Sequence, residues 1–453
     1  MHAPLIADPD PTHHGAALVR DSLPRTVWRV GAPAVASSLL MTMFASVDAY
    51  WVGSRVGAAG LAAVSTSLFW VWLVVAIAEM VSVGLTALAA RRHGERRAGD
   101  AARAVGESLV FALALGVAVS AAGLVALDAL FAVMRTPPEV TALGTDYLRT
   151  YLLGTPLIFG FFAVDAGFRA AGDTRTPFLI LLASVAVTLV LDPLLILGAG
   201  GLPRMGIAGA AFATVATRGA AFAIGLVLLV RRGLLRPALP RLATVATVCR
   251  VGLPTALTGV MFSAIYVVLT RTTTQFGTPA LAALGVGHRI ESWFYMIGVG
   301  FGAAAAAIVG QNMGAGRADR AEHAGWHAAA FATIPGFLAF ALMLAFPEQL
   351  AALFTPDAAV VAETARYLRI AAVSQLFVAA EIVLEGALGG AGDTVPPMLT
   401  STAFTASRIP IAAWAAGRFG TAGIWWTISL TATARGMAMM AIWRSGRWKR
   451  QAL

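Results

Sequence analysis

Charge is what this sequence has least of. Only 12% of its 453 residues are Asp, Glu, Lys or Arg, against about 25% in an ordinary soluble domain. With 58% hydrophobic residues beside them and a mean hydropathy of +0.77, so few charges cannot cover a soluble surface. A soluble enzyme and a disordered chain are both excluded, and a polytopic membrane protein remains. Cysteine is almost missing too: Cys249 stands alone, so no internal disulfide framework exists. Lysine occurs once, at Lys449, and arginine supplies the rest of a net charge of +10. No phosphate loop of the Walker type is present, so ATP does not drive this chain directly. Gly298-x-Gly300-x-Gly302 follows no strand and is no dinucleotide loop. His323 and His327 lack the glutamate of a zinc-protease helix. No enzyme chemistry, metal or cofactor is expected, and no nucleic acid partner.

What is present in abundance is apolar length. A bilayer core about 30 Å thick needs about 20 apolar residues per spanning helix. That ruler predicts an all-α membrane protein of twelve transmembrane helices. They fall near 28–53, 61–90, 104–134, 147–171, 177–199, 206–230, 251–275, 280–310, 325–347, 366–390, 397–417 and 421–443. Residues 1–24 lack an apolar signal core, so the first span is expected to act as an uncleaved anchor. Arginines cluster after the second span (Arg91, Arg92, Arg96, Arg97, Arg103) and after the sixth (Arg231, Arg232, Arg236, Arg241, Arg250). Arg317 and Arg320 follow the eighth span, and Arg444, Arg447, Lys449 and Arg450 close the chain. The positive-inside bias then places both termini in the cytoplasm of a cell membrane.

An internal repeat organises the spans. Gly31-Ala32-Pro33 recurs as Gly252-Leu253-Pro254, Tyr147-Leu148-Arg149 as Tyr367-Leu368-Arg369, and Ala171-Gly172-Asp173-Thr174 as Ala391-Gly392-Asp393-Thr394. Each pair lies 220 or 221 positions apart. The reading is a cytoplasmic tail (1–27), a six-helix lobe (28–230), a cytoplasmic linker (231–250), a second six-helix lobe (251–443) and a basic tail (444–453). Six is even, so the repeats are parallel and their axis follows the membrane normal, a layout found in secondary transporters. Proline at positions 33, 156, 193, 254, 335 and 410 can bend spans, or is tolerated where neighbours satisfy the freed carbonyls.

Charge inside a membrane costs a few kcal/mol or more, so each such residue needs a partner or a task. Asp48 and Asp192 lie about 18 and 15 residues into spans of the same direction. They therefore sit roughly 22–27 Å deep and can share one cavity. Two neighbouring carboxylates resist ionising together, which suits proton uptake and release. Alternatively each accepts hydrogen bonds from hydroxyls, or Asp192 caps a break before Pro193. Asp48 falls opposite Val268 or Leu269 in the second repeat, and the stretch from Pro410 to Ala413 has no acid. Ion coupling is therefore assigned to the first lobe.

The second lobe carries Glu291 two residues after Arg289, and Glu381 and Glu385 one turn apart. Asp165, the repeat mate of Glu385, has Arg169 at i+4, whereas Glu385 has Gly389 there. Glu381 and Glu385 either meet a cationic substrate or pair with Arg408, Arg435 or Arg289. Glu79 in the second span is a further lone acid. Glu291, Glu381, Glu385, Glu79 and Arg289 are thus the substrate-binding or gating candidates.

At this point the residues resemble the multidrug and toxic compound extrusion (MATE) family, in particular its DinF-like prokaryotic branch. The resemblance rests on Pro33…Asp48…Gly53…Gly57, on Phe168 to Pro177, on Leu191-Asp192-Pro193-Leu194-Leu195 with Gly206 to Ala211, on Arg289-Ile290-Glu291, and on Val309 to Gly316. It covers residues 28 to 443 or so. It implies two lobes in a V and efflux of cationic or amphipathic compounds against proton or sodium entry. Its coupling acids would fall on Asp48 and Asp192. The family often has Asn one turn before the second acid, where this chain has Thr188. A hydroxyl is a poorer sodium ligand than an amide oxygen, so the resemblance implies protons here rather than sodium. Thr214 would be a further polar partner. The span at 251–275 lacks the acid that some relatives carry there. The expectation is a proton-coupled antiporter acting as a monomer in the bilayer. The alternatives are a sodium-coupled exporter, a flippase of lipid-linked precursors, and a non-transporting scaffold.

Overall fold

The computed structural model describes residues 18–55, 58–134, 137–201 and 203–451, with the side chains of 45–50, 53–55, 58, 59, 61, 62 and 133 outside the description. The described residues form helices and no strand. In chain order they are α1 (Leu23–Arg55), α2 (Ala58–Gly94), α3 (Ala98–Met134), α4 (Pro138–Leu153), α5 (Thr155–Ala170), α6 (Arg175–Leu197) and α7 (Ile207–Arg231). Then come α8 (Leu242–Thr274), α9 (Thr278–Gly314), α10 (Ala318–Ala345), the short α11 (Pro347–Ala352), α12 (Ala358–Ala391), α13 (Val395–Phe419) and α14 (Thr421–Arg444).

Among the described residues nine helices are long and apolar enough to cross a membrane, and α4 with α5 makes a tenth. α13 and α14 have the length, 25 and 24 residues, but Arg408, Arg418, Arg435 and several threonines dilute their apolarity. With them the helical units number twelve.

The span expected as one helix over 147–171 starts earlier, at Pro138, and bends by 51° between Leu153 and Thr155. The ring nitrogen of Pro156 has no hydrogen to donate to the carbonyl four residues back. α8 likewise begins at Leu242, inside the stretch read as linker. Thr244 and Val248 are buried there, so packing extends the helix past the loop composition.

The repeat becomes a pseudo-two-fold axis at one end of the molecule. A Cβ on Gly94 would stand 1.9 Å from the Gln311 carbonyl oxygen, and one on Gly314 2.0 Å from that of Arg91. Both members of each pair are repeat mates, so the ends of α2 and α9 cross with each glycine against the other's backbone. The same holds for Gly31 against the Phe301 ring and Gly252 against the Met80 carbonyl, at 2.7 and 1.8 Å. Thr174 donates to the Val30 carbonyl at 2.7 Å, and Thr394 to the Val251 carbonyl at 2.8 Å.

α1 and α8 each belong to both lobes. Val27 and Val30 share a buried cluster with Phe301 and Ala305 of α9. Beyond Pro33, Leu40 and Phe44 of the same helix pack on Phe161 of α5 and on Leu181 and Val185 of α6. Val248 of α8 joins the first lobe's core with Leu85 and Ala89, while Leu269 joins Tyr367 and Leu368 of the second lobe.

All these close approaches lie at the end carrying the arginine-rich connections. Toward the other end, Gly259 of α8 and Gly285 of α9 have nothing within 4 Å of a built Cβ. The lobes meet at the basic end and part at the other.

Close backbone contact makes the glycines at the crossing sensitive. Gly252→Ala sets a methyl against the Met80 carbonyl, which no rotamer change relieves. A loss of about 1–3 kcal/mol is expected, read as a lower Tm of the purified protein. A melt identical to that of the parent would show that the crossing is looser than described.

Candidate functional site

In the first lobe Asp192 sits on α6, five residues before the helix ends at Leu197, with no solvent exposure. Thr188, one turn earlier, faces Thr217 of α7 with the hydroxyl oxygens 2.8 Å apart. Each hydroxyl also lies 2.8 Å from the carbonyl four residues back, at Ser184 and Ala213. With the Thr214 carbonyl 3.2 Å from the Thr217 hydroxyl, two hydroxyl protons serve four contacts, and the pair can shift its pattern without moving heavy atoms. Thr214, the partner expected from the resemblance, is half-buried, and its carbonyl accepts from Thr217 at 3.2 Å. Thr217 was not singled out in the sequence. It lies three residues on and so on the same helix face, a periodicity that makes both threonines candidates. The side chain of Asp48 lies outside the described residues, and with it the distance to Asp192.

Deeper in this lobe Asp165 pairs with Arg169 at 2.7 Å, and Arg169 donates to Ser82 of α2 at 2.8 Å. Glu79, one turn before Ser82 on α2 and exposed, is within Coulombic range of Arg169. Arg218 of α7 is buried, with its guanidinium 5.0 Å from the Phe161 ring centroid.

In the second lobe the corresponding arrangement is ionic. Phe161 has Glu381 as its repeat mate. Glu381 is 2% exposed and is held by Arg435 of α14 at 2.6 Å. Arg435 also donates to Thr405 of α13 at 3.1 Å. Of the two readings left open for Glu381, the structure shows the ion pair. Glu385, one turn further along α12, is half-buried and makes no hydrogen bond or ion pair among the described residues. It lies within Coulombic range of Tyr295 of α9, as do Glu381, Arg435 and, from the opposite lobe, Glu79. Arg218 is likewise within range of Asp165 and Arg408 within range of Glu381, so Glu79, Asp165, Glu381 and Glu385 face Arg169, Arg218, Arg408 and Arg435, and Glu79 and Glu385 are the two of these acids without an ion pair among the described residues.

Glu291 stands apart from that group. Its two oxygens accept from Tyr367 and Gln375 of α12, each at 2.7 Å, and His288 is 3.8 Å away. Arg289 is exposed and forms no ion pair among the described residues. It points away from its sequence neighbour because i and i+2 do not share a helix face. Arg408 binds Tyr266 and Thr431, each at 2.8 Å, and so pairs with none of the acids. Gln375 and Arg218 carried no signal in the sequence, and Tyr367 only as a member of the repeat, since their roles depend on which helices become neighbours.

Two loops at the basic end bear the repeated Gly-Asp-Thr. Burial pushes the Asp173 carboxyl up, but the Thr176 hydroxyl and amide and the Arg232 guanidinium outweigh it, and the net position is below the usual range. Among the described residues the Asp393 carboxyl meets the neutral Gln451 amide alone, at 3.0 Å, and burial leaves it above the usual range. Opposite pH signs follow. The stabilisation from Asp173 is present above its unfolded value, about pH 3.9, and disappears as pH falls through its lower folded value. Asp173→Asn is expected to lower Tm at pH 7 and to converge on the parent only as pH falls below the lowered folded value. Ionised Asp393 costs stability at pH 7, so Asp393→Asn should raise Tm there, the gain fading as pH falls through the raised folded value and gone by about pH 4. Thermal melts across that range check both; parallel curves would contradict the two environments.

Two pseudosymmetric bundles around a charged cleft, with nine or ten apolar crossings, define a multi-pass membrane transporter of the two-lobed type. The MatE family model matches residues 33–194 and again 254–414, and the chain belongs to that family, whose members are multidrug efflux transporters and not enzymes. The "probable multidrug resistance protein NorM" of Thermotoga maritima is 29% identical over 443 residues, covering 94% of this chain and 93% of that protein. The "FAD transporter" of Shewanella oneidensis is 27% identical over 349 residues, 76% of each chain. A solved structure described as the outward-facing conformation of a multidrug resistance MATE family transporter superposes with a TM-score of 0.89 at 23% identity, covering 96% of this chain and 98% of that one.

Proposed function

We propose that the protein is a proton-coupled antiporter that exports cationic or amphipathic organic compounds by alternating access. The observation that carries the substrate charge is that Glu385 and Glu79, both within range of Tyr295 from opposite lobes, form no ion pair among the described residues. A ligand cation there is attracted by Glu385, which has no competing partner among the described residues, and by Glu79 across the cleft. Tyr295, 44% exposed, adds an aromatic face for the cation.

Coupling is assigned to Asp192 with Asp48 in the first lobe. Thr188 and Thr217 offer hydroxyls where a sodium site would favour an amide oxygen, and a proton needs only a carboxylate. The positive-inside bias places the basic, closed end and both termini in the cytoplasm of a plasma membrane. On that reading the lobes stand open to the outside. Protonation of Asp48 or Asp192 from that side releases substrate, and deprotonation to the cytoplasm resets the carrier. Two states with different affinities for proton and substrate are required for this to couple rather than leak.

The test is a pH gradient in proteoliposomes. A lipophilic drug cation should dissipate it, with the same rate in sodium-free buffer. A requirement for sodium would move the coupling ion. Lipid movement without any drug response would favour a flippase, and no response of either kind a scaffold. The flavin reading suggested by the Shewanella relative predicts response to an anionic dinucleotide, which the unpaired carboxylates of Glu385 and Glu79 disfavour.

A further inference from the structure

Residues 18–22 precede α1 and are held by both lobes at the closed end. Leu18 is 1% exposed. Its side chain lies over Gly172 of the first lobe, 2.7 Å from where a Cβ would stand, and packs in the second lobe's core with Met313 and Ala321. The Leu18, Val19 and Asp21 carbonyls are gripped from the second lobe, while that of Ser22 accepts from Thr26 of α1 at 2.9 Å. Asn312 of α9 donates to the Leu18 carbonyl at 3.3 Å, Arg317 to the Val19 carbonyl at 2.9 Å, and Arg320 to the Asp21 carbonyl. Beneath it, Gln311 of α9 donates to the Ala170 carbonyl of α5 at 2.7 Å, a direct bond between the lobes.

The repeat supplies a comparison within the molecule. The counterpart segment, the linker before α8, is fastened to the first lobe. The Arg236 amide donates to the Ala102 carbonyl at 2.9 Å, and Arg241 pairs with buried Glu107 at 2.7 Å. The first turn of α10 is also split by charge. Its arginines hold the N-terminal segment, while Asp319 and Glu322 hold Lys449 of the C-terminal tail at 2.9 and 2.6 Å.

We propose that residues 18–22 are a latch across the closed end, with Leu18 as its bolt, which must leave its seat between Gly172 and Asn312 before the lobes can separate there. The proposal rests on the alternating-access reading only in that the lobes must separate at this end at some stage. It makes the N-terminal segment a determinant of the balance between the two conformations, by linkage of its docking to closure.

The test uses the full chain with spin labels at Arg175→Cys and Arg444→Cys, both exposed and on opposite lobes, in a Cys249→Ser background. Pulsed dipolar distances are recorded in lipid nanodiscs. Arg317→Ala with Arg320→Ala removes two charged donors, and the ratio of long-distance to short-distance populations should rise about tenfold or more, in keeping with the loss of a hydrogen bond to a charged group. Leu18→Ala should act in the same direction, and Leu18→Met should restore the parent distribution. Unchanged distances in both the arginine and the Leu18→Ala variants overturn the latch. Transport measured in parallel keeps the two readings apart. Shifted distances in a protein that never responds to a drug cation would sink the antiport reading and leave the latch standing.

Discussion

Asp192→Asn is expected to abolish drug-dependent dissipation of a pH gradient in proteoliposomes, down to the rate of vesicles without protein. Asparagine keeps the shape of the side chain and its capacity to accept hydrogen bonds, but cannot take up or release a proton between pH 5 and 9. The site is completely buried, so neither water nor a nearby surface acid can substitute for the carboxylate. Binding should survive, because the cleft carboxylates lie on α2, α5 and α12 rather than on α6. The variant should therefore still quench or shift the fluorescence of a bound dye cation while failing to exchange it for protons. Asp48→Asn provides the companion experiment, and one of the two retaining full exchange would confine coupling to the other. Normal exchange by both variants would end the proton assignment. Thr217→Val gives a graded check, since it removes one hydroxyl from the pair and should slow exchange without eliminating it.

Arg435→Ala is expected to cost about 3–5 kcal/mol of stability, the usual price of leaving one charge of a buried ion pair uncompensated. Glu381 would remain in the packed interface of α12 and α14 with a carboxylate and no counter-charge. Thr405 would lose its donor. The prediction is checked by thermal or denaturant unfolding in a fixed lipid or detergent. Glu381→Gln alone should cost less, because an amide can still accept from Arg435. The double variant Glu381→Met with Arg435→Met should recover much of the loss, since a buried pair replaced by apolar groups of similar volume is often neutral. Equal instability in the double variant and in Arg435→Ala would mean that packing, not charge, is at stake. In the first lobe the same position holds Arg218 over Phe161, a contact without a buried carboxylate partner at that turn, so Arg218→Ala should be milder.

Much of the architecture was legible in one dimension. Apolar length fixes the number of crossings because every backbone polar group in a bilayer must be satisfied within its own helix. The repeats of Gly31 to Pro33 and of Ala171 to Thr174 announced two equivalent lobes, and the two matches to the MatE family at 33–194 and 254–414 fall at the same spacing. The bend at Gly154 was not legible, although Pro156 was noted, because proline permits a kink and neighbouring packing decides whether one forms. The start of α8 was missed because the arginines around it read as loop, while Thr244 and Val248 are buried.

For the site, residue type was readable and partnership was not. An acid within a span marks a position under electrostatic demand, which singles out Asp192, Glu291, Glu381 and Glu385 from sequence alone. Helix rotation and neighbour identity then decide between an ion pair for Glu381, two neutral donors for Glu291 and none among the described residues for Glu385. Those choices depend on contacts 54 to 84 positions apart, such as Arg435 with Glu381 and Gln375 with Glu291, where no local periodicity operates. By itself the chain determined a twelve-span, two-lobed membrane protein, because bilayer thickness and duplication both write themselves along the sequence. Only the tertiary arrangement decided which end is shut, which carboxylates are already neutralised, and that Leu18 lies across both lobes, because each of these is set by side chains meeting between helices that the sequence orders but does not orient.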